Sequence, residues 1–429
     1  MIVDHLCHGV SGGAAGAAVR IHRGLLGAGI HSRFWHSPKV QSSDSTPNCQ
    51  PITWPTDKSP TAERIVSSVN RTLRDGWTKL RHYGNWAPGE EYFSTGNMRQ
   101  TTNFPASQID GDILVLHWLG KLVDYESFFS TVPPGRPVVW VMHDMNPFTG
   151  GCHFSNGCDQ FTSGCGHCPM ISKAHTLDIT ATTSSLKSSL YRNIDLHAVA
   201  PSTWLSGAAA ASKAMSVVSS HRVIPYGINI DVFRPEEKLA ARKELGLPLD
   251  RQIIAFGADS VTNARKGFRF LEDIWPRIDA ANTMGVMFGG GRMAKLNATA
   301  EIRHFGYIRD AHLQRSLYSA ADVFALPSLE DNLPQTGLES MACGTPVVAF
   351  DTGGIPDYVL PGRTGMLAKL GCADSLFENI HWILDHDTER LTMGSKARRL
   401  IETNFSQQVE VNQYRDLFAS ILPKMKMAA

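Results

Sequence analysis

Residues 321–357 have the sequence ADVFALPSLEDNLPQTGLESMACGTPVVAFDTGGIPD, which predicts a strand, a loop, a helix and a second strand in succession. The first apolar run ends at Leu326, and Pro334 suits the first turn of a helix, where its missing N–H is no loss. Strand, helix and strand in this order are typical of a parallel α/β sheet, whose ligands bind at the carboxyl ends of the strands. The free N–H groups of the helix would face that edge and suit a phosphate.

The same alternation extends along the chain and divides it in two. A connection at 222–235, punctuated by Pro and Gly, has little regular pattern, and an α/β series lies on each side of it. We therefore predict an α/β protein with two Rossmann-like domains, 1–224 and 225–405, and a C-terminal helix at 406–429 that packs back on the N-terminal domain. Residues 38–60 are rich in Ser, Pro, Thr and Asn and are expected to form a surface excursion. The predicted strands are residues 2–6, 31–35, 113–117, 137–143, 196–200, 253–257, 285–288, 302–306, 323–327 and 346–350.

The composition excludes several classes of protein. The chain has 429 residues, of which 42% are hydrophobic and 19% charged, so it has material for two cores and is not intrinsically disordered. Lys and Arg total 41 against 40 Asp and Glu, and the net charge of +1 gives no global basic field for nucleic acid. The N-terminus lacks the pattern of a signal peptide, and no apolar run approaches about 18 residues. We expect a soluble, cytoplasmic protein.

Two acidic residues in the opening stretch, Asp331 and Glu339, are eight positions apart and are followed by SMACGTPVV. This pattern resembles the donor-site signature of the retaining glycosyltransferases of family 4, which have the GT-B fold. The turn RKGF at 265–268 and the segment TGGIPDYVLPGRTGMLA at 352–368 stand in the order found in the family. The resemblance implies two Rossmann-like domains that face each other across a cleft, the first on the acceptor side and the second binding a nucleotide-sugar donor.

The resemblance also implies roles for individual residues. Glu339 would hold the ribose hydroxyls of the donor, and Asp331, where the family usually has Glu, would contact the transferred sugar. Lys266 would neutralise the diphosphate leaving group. In the family an Arg commonly follows the strand glycine; Ala258 stands there, and Arg265 or another Arg is the expected substitute. The resemblance implies backbone contacts to sugar and phosphate for Asn332, Leu333, Pro334, Gln335 and Thr336, a donor-sugar contact for His143, and proximity to the diphosphate for Gly12 and Gly13.

Taken alone, these residues have plainer interpretations. Asp331 would also serve as a helix N-cap, and the adjacent Glu330 competes for its role at the sugar. Glu339 and Lys266 would also fit as solvated surface side chains, and His143 as a buried, hydrogen-bonded histidine.

The implied function is transfer of a sugar from a nucleotide-diphosphate sugar to a saccharide or lipid-linked saccharide, in polysaccharide or glycoconjugate biosynthesis. The family's retaining mechanism implies that the anomeric carbon is attacked on the same face from which the phosphate leaves, and that the leaving phosphate assists the attack. No Asp-x-Asp motif is placed to hold a divalent cation on the diphosphate, so no catalytic metal is expected. Two alternatives stay open: a catalytically inactive sugar-nucleotide binding protein, and a sugar-nucleotide epimerase with a GT-B-like layout.

Half of the eight cysteines lie in one Gly-rich loop at 150–169. In a cytosolic protein, four such thiols favour a structural, tetrahedral zinc site over disulfides, and the C-x-x-C half has the usual ligand spacing. Zinc would order this loop of the acceptor-side domain rather than take part in the chemistry. Free or redox-active thiols and disulfides are the alternatives. The candidate ligands are Cys152, Cys158, Cys165 and Cys168, with His153 and His167 as spare ligands.

Residues 61–82 predict a basic amphipathic helix. Such a helix on the acceptor-side domain would suit peripheral contact with the inner face of an anionic membrane, where lipid-linked acceptors lie. An ordinary surface helix packed on the core is the alternative. The basic residues are Arg64, Arg71, Arg74, Lys79 and Arg81, against the acidic Glu63 and Asp75.

Overall fold

The computed structural model describes residues 1–40, 46–52, 93–95, 104–120, 122–171, 174–291 and 300–422. The chain divides into two compact units, the first formed by Met1–Ile224 with Val411–Ala429 and the second by Pro225–Glu410. The predicted basic helix at 61–82 lies outside the described residues. Within the ranges that are described, no helix is both long and apolar enough to cross a bilayer.

The first unit is built on a seven-stranded sheet in the order β3-β2-β1-β4-β5-β6-β7, in which all neighbours are parallel. Helices connect most of the strands, as parallel pairing requires. The strands are β1 (Ile2–Leu6), β2 (His31–His36), β3 (Cys49–Pro51), β4 (Ile113–Leu116), β5 (Pro137–Val141), β6 (Asp195–Ala200) and β7 (Ser220–Val223). The helices are α1 (Gly13–Gly27), α2 (Tyr125–Phe129), α3 (Ile179–Tyr191) and α4 (Thr203–Ala211).

The second unit has a six-stranded parallel sheet in the order β10-β9-β8-β11-β12-β13. The predicted α/β class with two Rossmann-like units is therefore confirmed. The strands are β8 (Gln252–Ser260), β9 (Thr283–Gly290), β10 (Ile302–His304), β11 (Val323–Leu326), β12 (Val347–Phe350) and β13 (Gly365–Ala368). The helices are α5 (Lys238–Glu244), α6 (Phe268–Ile274), α7 (Ala311–Ala320), α8 (Gln335–Ala342), α9 (Ala373–Asp385) and α10 (Asp387–Asn404). The last helix, α11 (Gln407–Ile421), belongs to the first unit from Val411 onward.

The central strands are apolar on both faces because each face of the sheet is covered. In β4, Leu114 and Leu116 pack into one hydrophobic cluster, whereas Ile113 and Val115 pack into another. The second cluster includes Tyr414 of α11, so this last helix covers one face of the first sheet. Two-sided burial explains why these strands are continuous apolar runs rather than alternating ones.

Two edge strands of the first sheet carry no apolar run. The expectation that residues 38–60 form only a surface excursion is wrong for Cys49–Pro51, which pairs with β2 as Phe34 with Cys49 and Trp35 with Gln50. The opposite edge, β7, was not among the predicted strands. An edge strand is held by backbone hydrogen bonds along one side, and these do not depend on an apolar side-chain pattern.

Sheet order places the segments that matter for function. In the second unit, β8 lies beside β11 and β11 beside β12, so the turns that follow these strands meet at one edge of the sheet. In the first unit, β1, β4 and β5 are consecutive neighbours, and the residues at their carboxyl ends lie side by side.

Candidate functional site

The turn that carries Arg265 and Lys266 is fixed against the end of β11. Asn263 accepts a hydrogen bond from the Arg265 N–H at 2.9 Å, and the Arg265 carbonyl accepts one from the Leu329 N–H at 2.8 Å. Gly267 has a φ of +71°, and a Cβ at this position would overlap the carbonyl of Pro327. A glycine is therefore required for the two basic residues to approach the loop after β11 so closely.

Asp331 is the centre of a charged cluster in the second unit. Lys266 Nζ lies 2.6 Å from Asp331 Oδ2, and Arg265 Nη1 lies 3.4 Å from Oδ1. The Ser328 hydroxyl donates to Oδ2 at 3.2 Å, and the Asn332 N–H donates to Oδ1 at 3.1 Å. Burial alone would raise the pKa of Asp331, but the charges of Lys266 and Arg265 outweigh it and hold this pKa below its usual value. The carboxylate is therefore ionised at neutral pH.

The loop that presents Asp331 is held from behind by residues 352–354. Thr352 Oγ1 donates to the carbonyl of Leu329 at 3.0 Å, and the Gly354 N–H donates to the carbonyl of Asp331 at 3.1 Å. Gly353 has a φ of +56° and lies so close to the Asp331 carbonyl that a Cβ would overlap it. The Thr-Gly-Gly part of the sequence pattern thus has a structural reason.

Glu339 lies in α8, eight residues after Asp331, and is half-buried. Its Oε2 accepts a hydrogen bond from the hydroxyl of Tyr318 at 3.0 Å. Tyr318 is fully buried, and burial together with the negative charge of Glu339 raises the pKa of its phenol well above the usual value. The hydroxyl therefore stays protonated and fixes the orientation of the Glu339 carboxylate. Sequence reasoning assigned no role to Tyr318, because nothing in the sequence marks the contact between α7 and α8.

The remaining predicted donor-site residues lead into the same helix. Pro334 is the N-cap residue of α8, and the helix itself begins at Gln335. The structure thus brings Arg265, Lys266 and Asp331 into contact, and the chain runs from Asp331 directly into α8. Asn332, Leu333 and Pro334 are buried, whereas Gln335 and Thr336 are half-buried.

The predicted residues Gly12, Gly13 and His143 belong to the first unit. Gly12 is the N-cap residue of α1, with a φ of +90°, and Gly13 begins the helix. A Cβ at either glycine would meet nothing within 4 Å, so backbone conformation rather than crowding explains Gly12.

His143 follows β5 and is buried. Its Nε2 lies 3.0 Å from Nδ1 of His117, and Nε2 of His117 lies 2.9 Å from Nδ1 of His5. Burial lowers the pKa of His143 to about 4, with Asp144 partly opposing the effect, so its ring is neutral at pH 7. Sequence reasoning found His143 but missed the other two. A signal was available, because the predicted strands 113–117 and 137–143 each end in a histidine.

The neighbouring Asp144 connects this strand to the cysteine loop. Its Oδ2 lies 2.6 Å from Nδ1 of His153, and its Oδ1 accepts from the Asn146 N–H at 2.9 Å. Burial would raise the pKa of Asp144, but His153 and the hydrogen bonds lower it overall. Nε2 of His153 lies 2.8 Å from the Ser94 hydroxyl, so both ring nitrogens are used. His153 was expected as a spare metal ligand, but in the structure both of its ring nitrogens contact other side chains.

The four clustered cysteines line one cavity, and all eight cysteines are free. Burial raises the pKa of Cys152 to about 12 and that of Cys168 to about 11. Among the residues that the structure describes, no group of three or more His, Cys, Asp or Glu side chains is arranged as the ligand shell of a metal ion. His167 lies beside the cluster, with Nε2 2.8 Å from the Thr176 hydroxyl.

Comparison with known proteins connects the second unit to a family. Residues 250–386 match the family described as "Glycosyl transferases group 1". The chain is 32% identical over 206 residues to a D-inositol 3-phosphate glycosyltransferase of Mycobacterium leprae, covering 44% of this chain and 46% of the relative. It is 29% identical over 204 residues to a GDP-mannose-dependent monoacylated alpha-(1-6)-phosphatidylinositol monomannoside mannosyltransferase of Corynebacterium glutamicum, covering 43% and 52%. The chain thus spans about half the length of these curated relatives.

Solved structures resemble the whole chain. Sucrose-phosphate synthase from Thermosynechococcus elongatus has a TM-score of 0.64 at 18% identity, covering 98% of this chain and 99% of that one. Anabaena Alr3699/HepE in complex with UDP and glucose also has a TM-score of 0.64, at 15% identity, covering 98% and 100%. WaaG, a glycosyltransferase involved in lipopolysaccharide biosynthesis, has a TM-score of 0.61 at 14% identity, covering 97% and 99%. At these identities the likeness concerns the fold.

Proposed function

Because residues 250–386 belong to the group 1 glycosyltransferases and the chain has the GT-B fold, we propose that this protein transfers a sugar from a nucleotide-diphosphate sugar to a saccharide or lipid-linked saccharide acceptor. The observation that carries the proposal is the cluster in which the buried Asp331 holds the half-buried Arg265 and Lys266 beside the start of α8. Two cations and the N-terminus of a helix suit the negative charge that develops on a leaving diphosphate.

The proposed reaction follows from this charge arrangement. The bond between the anomeric carbon and the diphosphate oxygen breaks, and its electron pair goes to that oxygen. Lys266, Arg265 and the N–H groups of α8 would stabilise the resulting anion. The acceptor hydroxyl forms the new bond on the same face and gives its proton to the departing phosphate oxygen, so the anomeric configuration is retained.

Retention and metal independence are separate parts of the proposal, each with its own test. The anomeric configuration of the transferred sugar in the product, read by proton NMR, should match its configuration in the donor. Inversion would contradict the mechanism. The transfer rate should not depend on added Mg²⁺ or Mn²⁺, because Arg265 and Lys266 would supply the positive charge at the diphosphate. A rate that requires either ion would contradict metal independence.

The donor class rests on the shared chemistry of relatives and structural neighbours. One relative is named as dependent on GDP-mannose, and HepE was solved with UDP-glucose. Both compounds join a hexose to a nucleoside diphosphate, although their bases differ. We expect one nucleoside diphosphate from a panel of UDP, GDP, ADP and dTDP to raise the melting temperature most, because a ligand that binds only the folded state stabilises it. No stabilisation by any of them would contradict the proposed donor class.

A pair of variants tests the catalytic assignment. Lys266→Ala should lower kcat by about a hundredfold or more, the usual loss when a group that stabilises transition-state charge is removed. Lys243→Ala removes an exposed lysine of the same unit and should leave kcat unchanged. Glu339→Ala should sharply reduce donor turnover while the protein stays folded. If the wild-type protein binds the nucleotide but neither hydrolyses nor transfers the sugar with any acceptor, it is an inactive binding protein instead.

The roles of Gly12, Gly13 and His143 at the donor remain part of this proposal and rest on the family resemblance. Gly12→Ala would place a side chain at a φ of +90°, which L-residues rarely adopt, and should distort the start of α1. His143→Gln should lower kcat for transfer and leave the melting temperature nearly unchanged.

We further propose that Cys152, Cys158, Cys165 and Cys168 hold a structural Zn²⁺. All four thiols line the same cavity, and thiolates are the usual ligands of structural zinc. The Gly150 N–H donates to the sulfur of Cys165 at 3.2 Å, and the Met170 N–H donates to that of Cys168. Hydrogen bonds of this kind orient metal-bound sulfur atoms. Because the sulfurs do not form a ligand shell here, their side chains would have to rotate toward the cavity centre.

Two further features support a metal within this loop. Cys165 and His167 have φ values of +62° and +48°, so the C-x-x-C turn is held in a conformation that non-glycine residues rarely adopt. Lys187 is fully buried beside the loop, with Nζ donating to the carbonyl of Thr149 at 2.8 Å. A buried ammonium would offset part of the negative charge of a zinc tetrathiolate.

Metal analysis of protein purified without a histidine tag decides the zinc proposal. We expect about one equivalent of zinc per chain, lost in Cys165→Ser and kept in Cys372→Ser, which replaces a cysteine outside the cluster. Less than about half an equivalent would contradict the site. Intact-mass measurement then separates the two alternatives, because each disulfide lowers the mass by two hydrogens.

Peripheral membrane contact through residues 61–82 is also proposed, on the basic sequence of that segment alone. The protein should co-sediment with vesicles containing phosphatidylglycerol at low salt and be released by higher salt, because the attraction is electrostatic. Failure to co-sediment at low salt would contradict this contact.

A further inference from the structure

Tyr307 is an exposed aromatic side chain at the carboxyl edge of the second sheet. It comes three residues after the end of β10, and 51% of its surface is exposed. No other phenylalanine, tyrosine or tryptophan in the described part of the chain is exposed to this degree. Large aromatic side chains bury most of their surface, and ligands of an open α/β sheet bind at this edge. The exposed ring therefore marks a place where a ligand would cover it.

The ring of Tyr307 is held in place by its neighbours. Its hydroxyl donates a hydrogen bond to the carboxylate of Asp259, near the end of β8. Burial and the negative charge of Asp259 raise the pKa of the phenol, so the hydroxyl stays protonated at neutral pH. The guanidinium carbon of Arg309 lies 5.9 Å from the ring centroid. A ring that is already oriented loses little conformational entropy when a ligand stacks on it.

The strand beside Tyr307 ends in glycines, and three of them, Gly289, Gly290 and Gly291, are consecutive. A Cβ on Gly290 would lie 3.9 Å from Cδ2 of Tyr307, so a larger side chain there would stand against the ring. Gly289 has a φ of +139°, and a Cβ would overlap the carbonyl of Ala258 in β8. Glycine in a strand often marks a site where a ligand or another backbone approaches closely. The surface next to the ring is therefore backbone that a flat ligand can approach.

Strand order places Tyr307 on the same edge of the sheet as the charged cluster around Asp331. β10 is two strands from β8, which leads into the turn with Arg265 and Lys266, and three strands from β11, which leads to Asp331. Since adjacent strands lie about 4.8 Å apart, the ring is about 10–15 Å from the cluster along that edge. An extended nucleoside diphosphate covers about this span from its phosphates to its base. With its phosphates at the two cations, its base would reach Tyr307.

We propose that Tyr307 binds the base of the nucleotide-sugar donor by stacking, and that Asp259 is the positioning residue that orients its ring. The inference rests on the proposed function and adds to it the place and the mode of base binding. Every nucleobase has a flat π face, so stacking supplies affinity with little preference among bases. The contribution of the ring is therefore expected for whichever base the donor carries.

Titration calorimetry with nucleoside diphosphates and with inorganic pyrophosphate tests the proposal. Tyr307→Ala should weaken binding of the tightest of UDP, GDP, ADP and dTDP by about tenfold or more, the usual contribution of one stack between a base and an aromatic ring. Pyrophosphate has no base, so its affinity should stay within about twofold of wild type. Tyr307→Phe keeps the ring and should bind the nucleoside diphosphate within about threefold of wild type.

Leu249→Ala is the matched control. Leu249 is an exposed apolar residue of the same unit that precedes β8, at the opposite edge of the sheet, so its replacement should leave both affinities unchanged. An unchanged affinity for the nucleoside diphosphate in Tyr307→Ala, or an equal loss for pyrophosphate, would overturn the stacking proposal and leave the donor class intact. If the wild-type protein binds none of the four nucleoside diphosphates, the proposed function fails, and this inference fails with it.

Discussion

Replacing Asp331 with Asn is the sharpest test of the charged cluster in the second unit. The substitution preserves the size of the side chain and one oxygen, which can still accept from the Asn332 N–H. It replaces the oxygen that faces Lys266 at 2.6 Å with an NH₂ group, so two donors then face each other. Arg265 at the same time loses the carboxylate that lies 3.4 Å from its Nη1.

The magnitude follows from how deeply the pair is buried. Removing one member of a fully buried ion pair costs about 3–5 kcal/mol, whereas an exposed pair contributes about 0–1 kcal/mol. The Asp331 side chain is 9% exposed and that of Lys266 is 20% exposed, so solvent screens the remaining charge in part. We therefore expect Asp331→Asn to lower the free energy of unfolding by about 2–3 kcal/mol. For a domain of this size, that corresponds to a fall of about 4–12 °C in melting temperature.

The assay is thermal unfolding with and without pyrophosphate, with Asp351→Asn as the matched control. Asp351 is exposed in the same unit, so its replacement should change stability by less than about 0.5 kcal/mol. Pyrophosphate should raise the melting temperature of Asp331→Asn more than that of the wild type, because it restores a counter-charge to Lys266 and Arg265. Two results would refute this account of the cluster. One is an unchanged melting temperature in Asp331→Asn, and the other is a difference in melting temperature between wild type and Asp331→Asn that pyrophosphate does not reduce.

Three further predictions concern the same unit. Tyr318→Phe should raise KM for the donor about fivefold with little change in kcat in steady-state assays, because Glu339 loses one orienting hydrogen bond of about 1 kcal/mol. Gly353→Ala should destabilise the protein by about 2 kcal/mol or more in urea unfolding, because its φ is +56° and its Cβ would overlap the Asp331 carbonyl. The folded-state pKa of Asp331 is lowered, so its stabilisation is complete above the unfolded pKa of about 3.9 and is lost as pH falls through the lower folded value. The difference between wild type and Asp331→Asn should therefore be constant near neutral pH and shrink below about pH 4.

The central strands could be predicted from sequence because their burial requires a visible pattern. The continuous apolar runs at 113–117 and 323–327 correspond to β4 and β11, each covered on both faces. The short edge strands β3 and β7 could not be predicted, since backbone pairing to one neighbour places no demand on their side chains. The sequence of β7, Ser-His-Arg-Val, is half-exposed and mostly polar.

Side-chain partners were less predictable than elements because sheet order brings distant residues together. Lys266 and Asp331 are 65 residues apart, and they meet because β8 and β11 are neighbours. His5 and His117 are 112 residues apart and meet because β1 lies beside β4. A single sequence identifies residues with suitable chemistry, but it does not order the strands that decide which of them touch.

The identity of Asp331 itself bears on how the cluster works. Its carboxylate accepts from the Asn332 N–H and the Ser328 hydroxyl, both within four residues along the chain, and it also faces Lys266 and Arg265. A glutamate, one methylene longer, would carry its oxygens away from these local donors and past the two cations. The shorter side chain therefore favours holding Arg265 and Lys266 in place over reaching outward to a sugar. On this argument Asp331→Glu should lower the stability of the protein. A variant that keeps wild-type stability and has a lower KM for the donor would show that contact with the sugar, rather than anchoring of the two cations, is what this position requires.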